Sequence, residues 1–200
     1  MGRAVTRKIT ANLYGTLDGY GGFPKYPGSD YNSGKPDKFF TSFWIDRYDD
    51  VDTVVMGRRS FEGHLRVHSE AARKPTDSEY MFDYSRFLDK CNKVCLSHKK
   101  KKTDWQNSRI MKGDLARVLA RLKKEPGKNI IVEGGPSVVR ECLRRGLADD
   151  YWILMQPVVL GHGLPYWSSM KKQQTLKLLS VDAMKYGELV LHYEAVRGKF

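Results

Sequence analysis

Apolar positions along this chain follow two rhythms, short runs of period two and longer stretches of period 3.6, and their alternation predicts an α/β domain. Residues 8–14 alternate well enough for a first strand. Asp52–Gly57, Lys93–Ser97 and Arg109–Met111 predict three more short strands, the first two rich in β-branched and apolar side chains. The clearest helix is Asp114–Lys124, where Leu115, Val118, Leu119 and Leu122 recur at i, i+3, i+4 and i+7 before Pro126-Gly127 ends it. Residues 37–47 predict a helix with an aromatic face of Phe39, Phe40, Phe43 and Trp44, continued by Tyr48 and capped by Asp37. Residues 78–89 read as helical, 65–77 as loop, and 15–36 as a long Gly-, Pro- and Tyr-rich loop. Strand 129–133, helix 136–145 and strand 150–160 then form a βαβ crossover with parallel strands. Thr175–Tyr186 and Glu188–Val196, joined around Gly187, predict an antiparallel hairpin. No composition shift marks a linker. The pattern predicts one α/β domain over residues 1–200, with a mainly parallel sheet and an antiparallel edge.

Composition narrows the class without changing it. Two hundred residues, 40% hydrophobic and 29% charged, suit one soluble globular domain. No window approaches the ~20 apolar residues of a membrane span. Three cysteines, Cys91, Cys95 and Cys142, make an odd count for a disulfide framework and point to a reducing cytoplasm. Cys91, Cys95 and His98 lack a fourth ligand for a structural zinc. The net charge of +12, densest at Lys99–Lys102, is the electrostatic footprint of an anion binder. No helix-turn-helix, zinc-finger or RNP-type pattern accompanies it, so nucleic acid is the weaker reading.

The candidate chemistry begins at Glu133-Gly134-Gly135-Pro136-Ser137, between the apolar run Asn129–Val132 and a helix carrying Val138, Val139, Cys142 and Leu143. Paired glycines that close a strand and open a helix let backbone N–H groups approach a phosphate. Met56-Gly57-Arg58-Arg59-Ser60 is a second such junction, and Ser97-His98-Lys99 ends a third strand. Strand carboxyl ends of an open sheet share one edge, so the three junctions converge. Two amide cradles flanked by Arg58, Arg59 and Lys99 suit a pyrophosphate plus an extra phosphate, as in an NADP-type dinucleotide. Glu133 points into the same crevice, and a carboxylate ending a buried strand is costly unless solvated or paired.

Met56-Gly57-Arg58-Arg59-Ser60-Phe61-Glu62 resembles the Met-Gly-Arg-x-Thr-aromatic segment of dihydrofolate reductases. Thr16-Leu17-Asp18-Gly19, Val132-Glu133-Gly134-Gly135 and Pro157–Gly163 are similar to segments of the reductase domain of bifunctional riboflavin biosynthesis proteins, in the same order. The resemblance implies a three-layer α/β/α sandwich of the dihydrofolate reductase-like type, with NADPH as hydride donor. It implies that Gly57, Arg58 and Ser60 meet the cofactor phosphates, with Ser97 and His98 near the 2′-phosphate; Arg59 joins them as a flanking cation of the same junction. Gly134, Gly135, Ser137 and Val138 would cradle the other side of the pyrophosphate. Glu133 and Asp18 are the expected catalytic carboxylates, and the expected reaction is hydride transfer to a small heterocycle of the phosphoribosylaminouracil or pterin/folate type.

Two departures bear on the substrate. The riboflavin-type reductases commonly carry Lys where this chain has Asn12, and the acid on the aromatic helix of dihydrofolate reductases is replaced by Thr41 on an ungapped count. Asn12, Phe40 and Trp44 are the expected substrate contacts, although an aromatic stripe at helical spacing also suits a core. Asp18 also suits simple turn duty through an Asx-type hydrogen bond. The alternatives to a reductase are an NADP-binding module without turnover and a basic nucleic-acid-binding protein. Apolar Tyr151–Met155 and the terminal hairpin suggest a homodimer.

Overall fold

The computed structural model describes residues 7–22, 24–26, 47–99, 102–168, 170 and 172–197. Its centre is a mixed sheet with the strand order β5-β4-β3-β6-β1-β7-β10-β9. The strands are β1 (Ile9–Thr16), β3 (Val51–Gly57), β4 (Asn92–Leu96), β5 (Ser108–Met111), β6 (Asn129–Val132), β7 (Asp150–Gln156), β9 (Thr175–Ala183) and β10 (Leu189–Val196). The two-residue strands β2 (Tyr20–Gly21) and β8 (Leu164–Pro165) pair with each other, and β2 also pairs with β1. Strands from β5 to β7 run parallel, whereas β10 is antiparallel to both β7 and β9.

Four helices cover the described parts of the sheet, two on each face. Helices α3 (Leu115–Leu122) and α4 (Pro136–Arg144) bury Leu115, Val118, Leu119, Leu122, Val139, Cys142 and Leu143 against Ile9, Ala11 and Leu13 of β1. Helices α1 (Arg58–His68) and α2 (Glu79–Lys90) bury Phe61, Tyr84 and Leu88 on the other face, with Met56 and Ile131. The period of two along β1 therefore sends Ile9, Ala11 and Leu13 to one core and Asn12 to the other. That arrangement is the expected three-layer α/β/α sandwich.

Several elements depart from the sequence reading. Strands β6 and β7 are parallel but not adjacent, because β1 lies between them in register with both (Ala11 opposite Val132, Asn12 opposite Trp152). Strand β7 stops at Gln156, where Pro157 removes a ladder donor. Helix α1 continues through His68, and a 3-10 turn spans Glu70–Ala72, inside the stretch expected to be loop. Buried His68, whose Nδ1 lies 3.0 Å from Ser85 Oγ, ties this last turn to α2. The expected hairpin forms, with Gly187 at φ +93 in its turn. The expected helix over 37–47 lies outside the described residues except for Arg47, which sits in a turn.

Candidate functional site

The two glycine junctions meet. Gly57 is the N-cap of α1, and a Cβ there would lie 2.7 Å from Val138 of α4. Gly134 has φ +98, and its Cβ would lie 2.6 Å from Ser60 Cβ. The Ser60 hydroxyl oxygen accepts a hydrogen bond from the Gly135 N–H, joining the first turn of α1 to the start of α4. Helices α2 and α3 have side-chain caps, Ser78 accepting from Met81 N and Asp114 from Ala116 and Arg117 N. Helices α1 and α4 begin at glycine, with no side-chain cap and no acidic residue in the first turn. Two uncapped helix N-termini thus face one place, and each carries partial positive charge.

Around that place the remaining expected residues are unequally disposed. Arg58 is paired with Glu62 at 2.8 Å, whereas Arg59 and Ser137 are exposed. Ser97 is buried at the end of β4, where its N–H donates to Met111 O and its hydroxyl accepts from Lys99 N at 3.2 Å. His98 is exposed beside it. Phe40 and Trp44 lie outside the described residues.

Glu133 follows β6 directly, and its N–H donates to Val55 O of β3 at 3.1 Å. Its side chain is 3% exposed and points to the α1/α2 face. The Tyr84 hydroxyl of α2 donates to Glu133 Oε1, and Asn12 and Tyr48 side chains also hydrogen-bond the carboxyl. Burial raises the Glu133 pKa, although His64 nearby and the three hydrogen bonds each pull it back. Burial, then the Glu133 charge, pushes the Tyr48 and Tyr84 hydroxyls well above the usual tyrosine range. Asn12 is 1% exposed; its Nδ2 donates to Tyr48 OH at 3.3 Å, while its Oδ1 has no partner among the described residues. The cluster is a buried carboxyl bonded by the Tyr84 hydroxyl and flanked by Tyr48 and Asn12, with one buried acceptor left open among the described residues.

Tyr84 is the member that sequence reading did not single out. Tyr80, Tyr84 and Phe87 recur at i, i+4 and i+7, a spacing that ordinary helical packing explains equally well. Only the fold brings Tyr84 to Glu133, 49 positions away.

Asp18 sits apart, in the turn after β1. Its Oδ1 accepts from Thr16 Oγ1 at 2.5 Å, and its Oδ2 accepts from Leu160 N at 3.0 Å and Gly161 N at 2.6 Å. The Thr16 hydroxyl first, then the Gly161 amide, lowers its pKa to about 2. The carboxylate thus fastens the loop after β1 to the loop after β7.

Known structures share this architecture. A putative riboflavin biosynthesis protein from Shewanella sp. PV-4 superposes with a TM-score of 0.69 at 19% identity, over 95% of this chain and 99% of that one. A dihydrofolate reductase from Enterococcus faecalis, complexed with NADP(H) and RAB-propyl, gives a TM-score of 0.58 at 15% identity, over 94% and 96%. The Bacillus subtilis protein YyaP is 28% identical over 191 residues, covering 94% of this chain and 95% of its own length. The fold is dihydrofolate reductase-like, and residues 7–191 match the model of the RibD C-terminal domain, so the chain belongs to that family.

Proposed function

We propose that this protein is an NADPH-dependent reductase that transfers a hydride to a small flat heterocycle. The observation that carries the reading is Glu133: a buried carboxyl with a raised pKa, next in sequence to the glycine junction where two uncapped helix N-termini converge. The family reading supports a reductase-like activity, and NADP(H) in the Enterococcus faecalis enzyme supports the choice of cofactor. Gly57, Arg58, Arg59 and Ser60 are assigned to one side of the cofactor phosphates. Gly134, Gly135, Ser137 and Val138 are assigned to the other, with Ser97 and His98 toward the 2′-phosphate. When bound, the cofactor supplies the hydride. Glu133 holds the proton for the reduced C=N or C=O group, Tyr84 fixes that carboxyl, and Asn12 contacts the substrate. Asp18 is assigned to bracing the loops rather than to proton transfer, because its acceptor positions are occupied by its own chain.

A second reading, NADP binding without turnover, draws on Asn12 in place of the lysine common in riboflavin-type reductases and on the depth of Glu133. One experiment addresses both. NADPH should quench tryptophan fluorescence saturably and with clear preference over NADH, and a panel of pterins, folates and aminopyrimidines should then consume its absorbance. Absence of NADPH binding overturns the proposal. Binding without turnover on the whole panel selects the second reading. The three free, buried thiols support the cytoplasmic assignment, and the exposed apolar edge strand β9 supports a homodimer.

A further inference from the structure

The edge of the sheet opposite the glycine junctions carries a cleft of about 460 Å3. It lies between the end of α4 (Arg144, Arg145), the start of β9 and its approach (Lys172, Thr175), and the end of β10 (Arg197). The volume is in the range of small-ligand sites, roughly 300–1,000 Å3. Four cationic side chains line it, and among its described lining residues none is acidic.

The acids that hold these cations stand outside the lining. Glu141 takes Arg144 at 2.9 Å and Arg145 at 3.4 Å, and Asp114 takes Arg145 at 2.5 Å. Asp149 is shared between Arg197 and Lys123. Three carboxylates thus serve four cations, and Lys172 adds a fifth positive charge. A guanidinium offers five N–H donors. Arg144 spends two of its own on Glu141, and Arg197 one on Asp149. The ion pairs therefore orient the guanidinium groups without exhausting them, as supporting carboxylates do around built anion sites. Part of the cationic excess has a simpler role, since basic residues favour a helix C-terminus. That role accounts for Arg144 and Arg145 but not for Lys172 and Arg197, which come from the hairpin.

The wall is preorganised as well. Gln174 donates to Leu143 O and accepts from Tyr151 OH at 3.2 Å, so its amide pins the approach to β9 against α4. The fork of a guanidinium matches phosphate oxygens in pairs, which an ammonium alone does not.

We propose that this cleft binds a small phosphate-bearing anion of at least two negative charges, at a site separate from the crevice at the glycine junctions. The assignment does not depend on the reductase reading. Inorganic tripolyphosphate is the probe, titrated calorimetrically into the full chain at low ionic strength, with and without NADPH. The expected result is one bound tripolyphosphate that persists in NADPH. Its affinity should fall at least tenfold in K172Q/R197Q and stay within twofold in R58Q/R59Q. Lys172 and Arg197 are exposed, so the double variant should keep the parent melting temperature, which is checked alongside. Unchanged affinity in K172Q/R197Q, or loss of binding in R58Q/R59Q instead, would overturn the proposal.

Discussion

Glu133 shows how one residue can be costly to the fold and useful to the site. Its folded-state pKa is raised, chiefly by burial, so the folded chain binds a proton more readily than the unfolded one. The sign follows: the contribution is neutral below the ordinary glutamate pKa, and stability falls as pH rises from there through the folded value. Glu133→Gln removes the titration and keeps the shape, although it replaces an acceptor of three hydrogen bonds with a group that also donates. Its expected effect is therefore twofold. The melting temperature should decline less between pH 5 and pH 8 than in the parent chain, and the rate of NADPH oxidation should fall on the order of 10²–10⁴-fold, the usual worth of a positioned proton donor. Cofactor affinity should hardly change. Equal turnover in the variant would remove Glu133 from proton handling, and an identical pH profile of stability would show that its charge is not penalised in the fold.

At the scale of elements, the junction of α1 with α4 depends on two glycines for different reasons. Gly57 has an ordinary φ of −70, so an added methyl meets only Val138, at 2.7 Å. Gly134 has φ +98 and would in addition meet Ser60, so both backbone and space oppose a side chain. Gly57→Ala should lower stability by about 1–3 kcal/mol, and adding Val138→Ala should recover most of the loss. Gly134→Ala should lose a similar amount with no rescue from Val138→Ala. Urea unfolding of the four variants measures this, and equal rescue at both positions would show that the packing differs from that described. These glycine turns were legible in the sequence because the requirement is local: strand, turn and helix follow within ten residues. The last turn of α1 was not, because its anchor, His68 against Ser85, is a contact between helices. The same reason hid Tyr84. Asn12 was legible as a departure from the lysine common in riboflavin-type reductases, but the acceptor left open among the described residues exists only once Tyr48 and Glu133 surround it.

For the whole molecule, the sheet ends differently at its two edges. Strand β5 is four residues long, a short edge that offers little template for another chain. Strand β9 runs for nine residues, with Leu178 and Val181 about half exposed at 49% and 53%. The pairing with β10 shifts register between His192 and Tyr193, so Leu179 stands in a bulge and is also exposed. Bulges and charges normally guard such an edge, and here Lys177 and Asp182 flank the apolar residues rather than interrupt them. Three large apolar side chains along one open edge favour burial against a second copy through a self-complementary interface. Sedimentation of the parent chain should then give a dimer at tens of micromolar, and L178K/V181K should give a folded monomer with the same circular dichroism. The proposed cofactor crevice lies in the middle of the strand order, beside β3 and β6 and four strands from β9, so NADPH affinity in that monomer should stay within about threefold of the parent, a difference of less than ~0.7 kcal/mol. A parent chain that sediments as a monomer at 100 µM would rule out the β9 edge as an interface, whereas loss of cofactor binding with the dimer would mean that the crevice needs the second copy to hold its shape.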